Sequence, residues 1–320
     1  MAERKGQYPE YSFESGQRYC IFFCNEFSGQ SKERKGVGDE IKKINKIFKD
    51  RLGFHIVYKK NKSLKETKKI LENISEEYKE EMKCVENEME MIEEKMAENN
   101  SMEEKLNGIK KRVKEMESGK TGVRKIIADE IKEMQKVKEE NEKEENKKKG
   151  IIEEMEKDNK DRPLSCFVLI FSSHGSEGMI QASDGQSVTY KEINDYLNIP
   201  LLKDVPKVLY LSACRNKIKG VNKCDLFQSF DIPDMLVMLA VPSGDSGKRT
   251  DYTGSRFLNS VYEIYSKNED IDVMSLAVDI NDHLYIYKQK TDVEQKAVCF
   301  STLKKRLIIK KKEQSEKQKE

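Results

Sequence analysis

Two apolar runs each end at a residue with catalytic potential, and this pairing constrains the fold of the chain more than any other feature. The run CFVLIFSS is followed by His174, and the run KVLYLSA is followed by Cys214. Short apolar runs that stop at small or polar residues are typical of buried parallel strands, whose carboxyl ends meet at one edge of a sheet. The sequence therefore predicts that His174 and Cys214 lie together at such an edge.

A thiol becomes an effective nucleophile when a neighbouring imidazole helps to form the thiolate, and the imidazolium then protonates the departing amine. The pair of His174 and Cys214 therefore indicates a cysteine peptidase. The competing interpretation is structural, because free cysteines are often buried small hydrophobes and loop histidines often make only structural hydrogen bonds. The residues around the pair decide between these two interpretations.

The surrounding segments resemble motifs of the caspase family of cysteine peptidases. Residues 173–175, SHG, are similar to the family's Ser-His-Gly turn, and residues 212–216, SACRN, are similar to its Gln-Ala-Cys-Arg-Gly. The histidine precedes the cysteine by 40 residues, compared with about 50 in the family. Further segments resemble the family in their order along the chain: 18–27, 34–58, 177–185, 188–197, 235–244, 254–265 and 301–309.

The resemblance implies an α/β fold, a caspase-like three-layer sandwich with a mostly parallel central sheet of about six strands. It covers residues 8–77 and 163–309. Within this peptidase unit the large-subunit part extends to about residue 215, and the small-subunit part is 235–309. Residues 216–234 form the connector between them, and residues 310–320 are a charged tail.

The resemblance also implies a mechanism that uses no metal and no cofactor. Cys214 is expected to attack the scissile carbonyl, and His174 is expected to move the proton. The backbone N–H groups of Gly175 and Cys214 are expected to hold the oxyanion that forms.

Caspases cleave after aspartate, whose carboxylate is held by paired arginines, and bidentate guanidinium contacts favour such binding. Arg34 and Arg249 stand at the positions of those arginines. Three further candidate substrate-binding residues depart from the family. Ser212 replaces the pocket glutamine and Lys248 replaces a tryptophan, while Arg256 stands where many caspases carry an aromatic or apolar residue. Arg256 therefore predicts a preference for an acidic residue further along the peptide.

The connector contains candidate sites for the self-cleavage that typically activates caspases. Asp225 and Asp231 are the two candidates, but the bulky residues Leu226 and Ile232 follow them, whereas small residues usually follow a caspase cut. A chain that works uncut, and a chain that does not work at all, remain alternatives at this point.

Residues 78–162 differ sharply in composition from the rest of the chain, since they contain no aromatic residue after Tyr78 and are dominated by Glu, Lys, Met and Ile. Apolar residues alternate spacings of four and three, which predicts a coiled-coil seam: Tyr78, Met82, Val85, Met89, Ile92 and Met96. Because this insertion leaves and re-enters the caspase-like unit, we expect a helical hairpin. It either docks a partner or adaptor, or is a surface insertion with no partner.

Composition excludes several other classes of function. The 60 Lys and Arg against 58 Asp and Glu leave a net charge of +2, so no global field favours nucleic acid. Seven scattered cysteines without a CxxC pair indicate neither a disulfide framework nor a zinc site, and are typical of the reducing cytoplasm. The chain also lacks an apolar run long enough for a signal peptide or a membrane span.

The sequence thus predicts a caspase-like endopeptidase that cleaves protein substrates after Asp in cell-death (apoptotic) or related signalling. The resemblance implies a homodimer through a small-subunit edge strand, and residues 303–309 match that strand, although their Lys and Arg side chains equally suit an unpaired edge. The alternative is a catalytically silent caspase homologue that acts as a scaffold or decoy through its coiled coil. A third reading is a peptidase of changed specificity, which would show Arg34 or Arg249 pointing away from the cleft.

Overall fold

The computed structural model describes residues 9–12, 16–80, 83, 164–217 and 226–311. The chain divides into two compact units, residues 1–74 with 162–320, and residues 75–161. The coiled-coil hairpin predicted for residues 78–162 lies almost wholly outside the described residues. Of the second unit, only residues 75–80 and 83 are described, and they are helical.

A six-stranded sheet forms the centre of the first unit. Its strands are β1 (Gln17–Cys24), β2 (His55–Lys60), β3 (Leu164–Ser172), β7 (Lys207–Ser212), β8 (Met235–Leu239) and β12 (Val298–Ser301). The strand order is β12-β8-β7-β3-β1-β2, and every pairing is parallel except that of β12 with β8. The predicted mostly parallel α/β sheet is confirmed.

Short strands form three smaller sheets beside the central one. The first contains β4 (Gly175–Ser176), β5 (Met179–Gln181) and β6 (Ser187–Thr189); the second contains β9 (Arg249–Thr250) and β10 (Gly254–Ser255); the third contains β11 (Asp270–Asp272) and β13 (Ile308–Lys310). The first of these sheets directly follows His174, so it anchors the loop that carries the imidazole.

Helices cover both faces of the central sheet. They are α1 (Val37–Ile44), continued by a π-helical segment (Asn45–Arg51), α2 (Leu64–Glu72), α3 (Tyr190–Leu197), α4 (Leu226–Ser229), α5 (Arg256–Lys267) and α6 (Val273–Thr291). On one face α1, α5 and α6 bury a cluster built around Phe48, Tyr210 and Phe257. On the other face α2 packs with α3. Because both faces are covered, the central strands are buried along most of their length, with polar residues mainly at their ends.

The edge of the sheet is not the segment that the sequence predicted. We expected residues 303–309 to form the edge strand, but the edge is β12 (Val298–Ser301), and β13 pairs antiparallel with β11 instead. The reason is that the apolar side chains of Leu307 and Ile309 are buried in the helix-covered core and not at the edge of the sheet. Lys310, the first residue of the predicted charged tail, is the last residue of β13.

We predict that removing one hydroxyl of the buried Tyr210–Tyr265 pair destabilises the fold more than removing both. The two hydroxyl oxygens are 2.7 Å apart in the core, so Tyr265→Phe leaves Tyr210 without a partner at a cost of about 1–3 kcal/mol. Because the chain contains no Trp, urea unfolding is best followed by pulse proteolysis. The double Phe variant should recover part of the loss, and strict additivity of the two single losses would contradict this interpretation.

Candidate active site

The register of two neighbouring strands places the predicted catalytic residues side by side. Ser172, the last residue of β3, pairs with Ser212, the last residue of β7. His174 and Cys214 each follow two residues later, and Ser173 N donates to Ser212 O at 3.2 Å. Both His174 and Cys214 are partly exposed. The two strand ends therefore present an imidazole and an accessible thiol on adjacent turns, as the sequence predicted.

Gly175 makes the close approach of these two turns sterically feasible. A Cβ at this position would lie 2.9 Å from Ala213 Cβ and 3.0 Å from Cys214 O. Both distances are shorter than ordinary van der Waals contact, so any other residue here would push the His174 turn away from the Cys214 turn. The glycine thus has a steric role in addition to the oxyanion role that the resemblance implies.

The imidazole of His174 is held in one tautomer. Its Nε2 lies 2.6 Å from Lys32 O, and because a carbonyl only accepts hydrogen bonds, Nε2 must carry the proton. In the neutral ring Nδ1 is therefore the proton acceptor. Burial lowers the pKa of His174, and the bond to Lys32 O opposes this effect, while the charges of Arg34, Lys32 and Arg249 lower the pKa further. Burial and the neighbouring cations therefore favour the neutral form of the ring.

Arg34 is almost completely buried, with 4% of its surface exposed. Its Nη1 donates to Asn25 O and to Ser172 O, both at 2.7 Å, and its Nη2 donates to Ser172 Oγ at 2.9 Å. Burial lowers the pKa of Arg34 to about 10, and the nearby carboxylate of Glu40 opposes that change. The guanidinium therefore lies directly beneath the ends of β1 and β3.

Glu40 is a site residue that the sequence analysis missed. Its carboxylate is buried and accepts from Ser172 Oγ at 2.5 Å and from Ser255 N at 2.6 Å, and it lies 3.3 Å from Arg249 Nη1. A usable signal existed in α1, because Val37, Glu40 and Ile44 share the buried face. An acid at a helix position that should be apolar indicates a buried partner of opposite charge.

The second predicted arginine, Arg249, contacts this carboxylate directly, whereas Arg34 is linked to it through Ser172 Oγ. Arg249 pairs with Glu40 and also donates to Lys35 O, and about a quarter of its side chain is exposed. Ser212 Oγ donates to Ser255 Oγ at 2.7 Å, so its hydroxyl is already engaged. Arg34, Arg249 and Ser212 thus belong to one hydrogen-bonded network, which is connected through Ser172, Glu40 and Ser255.

The two other predicted substrate-binding residues lie at the entrance to β9 and at the start of α5. Lys248 is exposed, and its backbone N–H donates to Gln295 Oε1 at 2.9 Å. Arg256 turns toward the end of α6, where its guanidinium lies over the Tyr287 ring at 4.6 Å and donates to Thr291 Oγ1 at 3.2 Å. Arg256 is therefore a held cation and not a freely moving one.

A buried ion pair ties the two catalytic turns together. Arg215 Nη2 and Glu177 Oε1 are 2.6 Å apart, and each side chain is less than 5% exposed. Glu177 N also donates to Asn216 O at 3.1 Å. The residue that follows the thiol is thereby fixed to the hairpin that follows the imidazole. The sequence placed Arg215 and Glu177 in family-like segments but did not predict that the two side chains pair.

The candidate cleavage sites of the connector differ in what the structure says of them. Asp225 lies outside the described residues. Asp231 is exposed, but its neighbours Phe230 and Ile232 are buried. Asn194 donates to Asp231 Oδ1 at 2.7 Å and accepts from Asp231 N at 3.2 Å. The chain around Asp231 is therefore packed and hydrogen-bonded, which is not the extended strand that a peptidase cleft requires.

Two further properties concern metal ligands and membrane-spanning helices among the described residues. Within them, no group of three or more His, Cys, Asp or Glu is placed to hold a metal ion. None of the helices in those same ranges is both long and apolar enough to cross a membrane.

Known proteins share this fold and these sequence features. A profile of the caspase domain matches residues 17–85 and 99–308. The crystal structure of caspase-1 from Spodoptera frugiperda covers 98% of both chains with a TM-score of 0.58 and 17% identity, which at that identity is a likeness of fold alone.

The sequence relatives are partial. Caspase-14 of Homo sapiens is 26% identical over 137 residues, which are 37% of this chain and 57% of the human protein. Caspase-14 of Mus musculus is 32% identical over 63 residues, which are 19% of this chain and 24% of the mouse protein. The matches therefore span about half and about a quarter of those relatives. Since the caspase-domain profile covers most of the chain, the protein belongs to the caspase family.

We predict that the charge of Glu40 is essential to the folded site and that the charge of its neighbour Asp39 is not. Glu40→Gln leaves two adjacent guanidinium groups without their buried counter-charge, so the free energy of unfolding should fall by about 3 kcal/mol. Among the described residues, Asp39 pairs with Lys43 of the same helix at 2.6 Å, and both side chains are partly exposed, so Asp39→Asn should cost less than about 0.5 kcal/mol. Urea unfolding of the two variants compares them directly. Equal losses would show that Glu40 is not the counter-charge.

Proposed function

We propose that the protein is a cysteine endopeptidase that cleaves protein substrates after aspartate. The observation that supports this best is the placement of His174 and Cys214 two residues beyond paired strand ends, with His174 Nε2 bound to Lys32 O. Family membership supports the reaction class, because caspases act on protein substrates.

In the proposed reaction Cys214 gives its proton to His174 Nδ1, and the sulfur bonds to the scissile carbonyl carbon. The N–H groups of Gly175 and Cys214 stabilise the oxyanion. The His174 imidazolium then protonates the amide nitrogen as the C–N bond breaks, which releases the new amino terminus and leaves a thioester. Water adds to the thioester with His174 as the base, and the free thiol is restored.

The proposed aspartate specificity depends on the two arginines that share Glu40. Arg34 and Arg249 carry two positive charges against the single negative charge of Glu40, so the pocket has one charge left to offer a substrate carboxylate. Arg249 is the more accessible of the two, and we assign it the direct contact. Arg34 would then act mainly from below, through the field it adds and through the Ser172 hydroxyl that it shares with Glu40.

Two further features shape the rest of the proposed cleft. Because Ser212 Oγ is bonded to Ser255, it offers a substrate less than the longer glutamine of other caspases. Arg256, held by Tyr287 and Thr291, is retained as the residue that favours an acid further along the peptide. We assign the exposed Lys248 to the part of the cleft beside the substrate residue that adjoins the aspartate.

The wider setting is also part of the proposal. We assign the protein to cell-death or related signalling in the cytoplasm, with a homodimer formed through edge strand β12. Caspases often dimerise, and β12 has only one neighbour, β8, within the described sheet. The helical insertion of residues 78–162 is proposed as a coiled-coil hairpin that docks a partner or adaptor.

A catalytically silent scaffold is the second candidate function. The near-complete burial of Arg34 and the engaged Ser212 hydroxyl favour it, because both reduce what the pocket offers to a substrate carboxylate. In this case the helical insertion carries the function, and the caspase-like unit is its support.

We predict cleavage after Asp by the 320-residue chain and none by its Cys214→Ala variant. Peptides that differ only in Asp, Glu, Asn, Arg or Lys before the scissile bond separate chemistry from specificity. Arg249→Ala should lower kcat/KM for the Asp peptide by at least about 100-fold, since a charged hydrogen-bond partner is lost. Arg51→Ala is a matched control, because this partly exposed guanidinium donates to Asn268 O and, among the described residues, to no residue of the candidate site.

Each outcome of this assay favours one of the hypotheses about function. Cutting after a residue other than Asp retains the chemistry and rejects the aspartate pocket. Absence of cutting, even after forced dimerisation and after cleavage of the connector, rejects the peptidase and supports the scaffold.

We predict that Asn194 protects the connector from cutting after Asp231. Asn194→Ala removes three hydrogen bonds to residues 231 and 232, so this stretch should open more often and an added aspartate-specific peptidase should cut it faster. Gel analysis with mass spectrometry of the fragments measures the rate and the position. Asn198→Ala, at the end of the same helix α3, serves as the control, and equal rates in both variants would contradict the protective role.

A further inference from the structure

Phe27 has an unusual backbone conformation at the edge of the candidate site. It lies on the loop between β1 and α1, its side chain is buried, and its φ angle is 55°. A bulky residue seldom adopts this left-handed conformation, and it persists only where surrounding contacts impose it. The contacts here include Gln30 N donating to Phe27 O at 3.1 Å and Arg34 N donating to Glu26 O at 2.6 Å.

The strained turn directs the aromatic ring onto the imidazole. The ring centroids of Phe27 and His174 are 4.7 Å apart, with a tilt of 52° between the planes. The same loop supplies Lys32 O, which accepts from His174 Nε2 at 2.6 Å. One face of the imidazole and one of its nitrogens are therefore both fixed by residues 27–32, before the loop continues to Arg34.

We propose that Phe27 is a positioning residue for His174, which holds the imidazole plane against the Lys32 carbonyl and shields it from water. Its kinetic consequence rests on the proposed peptidase function, whereas the shielding itself does not. The ring contact restricts rotation about the His174 side chain, and the carbonyl fixes the tautomer. Together they leave Nδ1 as the proton-accepting nitrogen of the ring.

The charges around His174 act in the same direction as this shielding. Lys32 and Arg34 on the same loop, and Arg249 from β9, all lower the pKa of His174, and burial is the largest cause. The Cys214 thiol lies on the neighbouring turn, and it is replaced by alanine so that only the imidazole is followed. Removing the Phe27 ring exposes the imidazole but leaves all three cations in place, so it tests the burial contribution separately.

The experiment is an NMR titration of the full chain in a Cys214→Ala background. The chain contains only three histidines, His55, His174 and His283, so labelled imidazole signals can be assigned with one His174→Ala variant. In Phe27→Ala the His174 pKa should move up toward the ordinary value of about 6.5. Phe27→Leu keeps apolar cover, and its pKa should lie between those of Phe27→Ala and the parent.

Phe167→Leu is the matched control. Phe167 is fully buried and its ring lies 6.2 Å from that of Tyr19, which stacks on His55. This variant loses an aromatic ring from the core without touching His174, so the His174 pKa should not move. An unchanged His174 pKa in Phe27→Ala, or an equal rise in Phe167→Leu, would overturn the proposal.

Kinetics give a second readout in the chain with Cys214 intact. Phe27→Ala should lower kcat about tenfold with a smaller change in KM, and the acid limb of kcat/KM should move to higher pH. Phe27→Tyr keeps the ring and should restore both values. If kcat, KM and the acid limb of Phe27→Ala equal those of the parent, Phe27 does not position the imidazole. Absence of activity in the parent would reject the peptidase, and the NMR titration would still decide the shielding.

Discussion

The level alignment of three strand ends is the constraint on which the rest of the site depends. Cys24 of β1, Ser172 of β3 and Ser212 of β7 stand opposite one another in the parallel register. The thiol, the imidazole and the loop that orients the imidazole all leave the sheet from this row. A shift of one residue in any strand would exchange its two faces. The irregularity that β1 does contain falls between Gln17 and Arg18, at the opposite end.

Buried charge is the second organising element. Two guanidinium groups meet below the strand ends, and such a cluster is costly to bury without a counter-charge. Glu40 supplies that charge from the inner face of α1, while Ser172 and the Ser255 N–H complete its hydrogen bonds. A second buried acid, Glu177, neutralises Arg215, the residue that follows Cys214. In both places an acid from one part of the chain fixes a basic residue from a distant part.

Local sequence patterns predicted the two strands that end near His174 and Cys214, whereas the six-stranded sheet was predicted from the resemblance to the caspase family. The apolar runs before His174 and Cys214 have one interpretation as buried strands, and parallel strands bring their ends together. They were not sufficient for Glu40 or Glu177, because these acids acquire their partners only through contacts between residues far apart in sequence. The acceptor at Lys32 is a backbone carbonyl, which leaves no trace in the side-chain sequence.

The prediction of residues 303–309 as the edge strand was wrong for a related reason. Both VCFS and LKKRLII contain strand-forming residues, and their local patterns do not say which one meets β8. Tertiary packing decides, because Leu307 and Ile309 fit the core beneath the helices. The predicted coiled coil stays a prediction, as it falls outside the described residues.

The pairing of β7 with β8 has a consequence for any chain broken in the connector. These strands lie on opposite sides of residues 216–234, yet they are neighbours in the interior of the sheet. The Glu40–Arg249 pair and the Ser212–Ser255 bond join the same two parts a second time. A nicked molecule would therefore keep the size and shape of the intact one in native chromatography, and its two fragments would separate only in denaturant. The folded unit therefore does not depend on an uncut chain between β7 and β8.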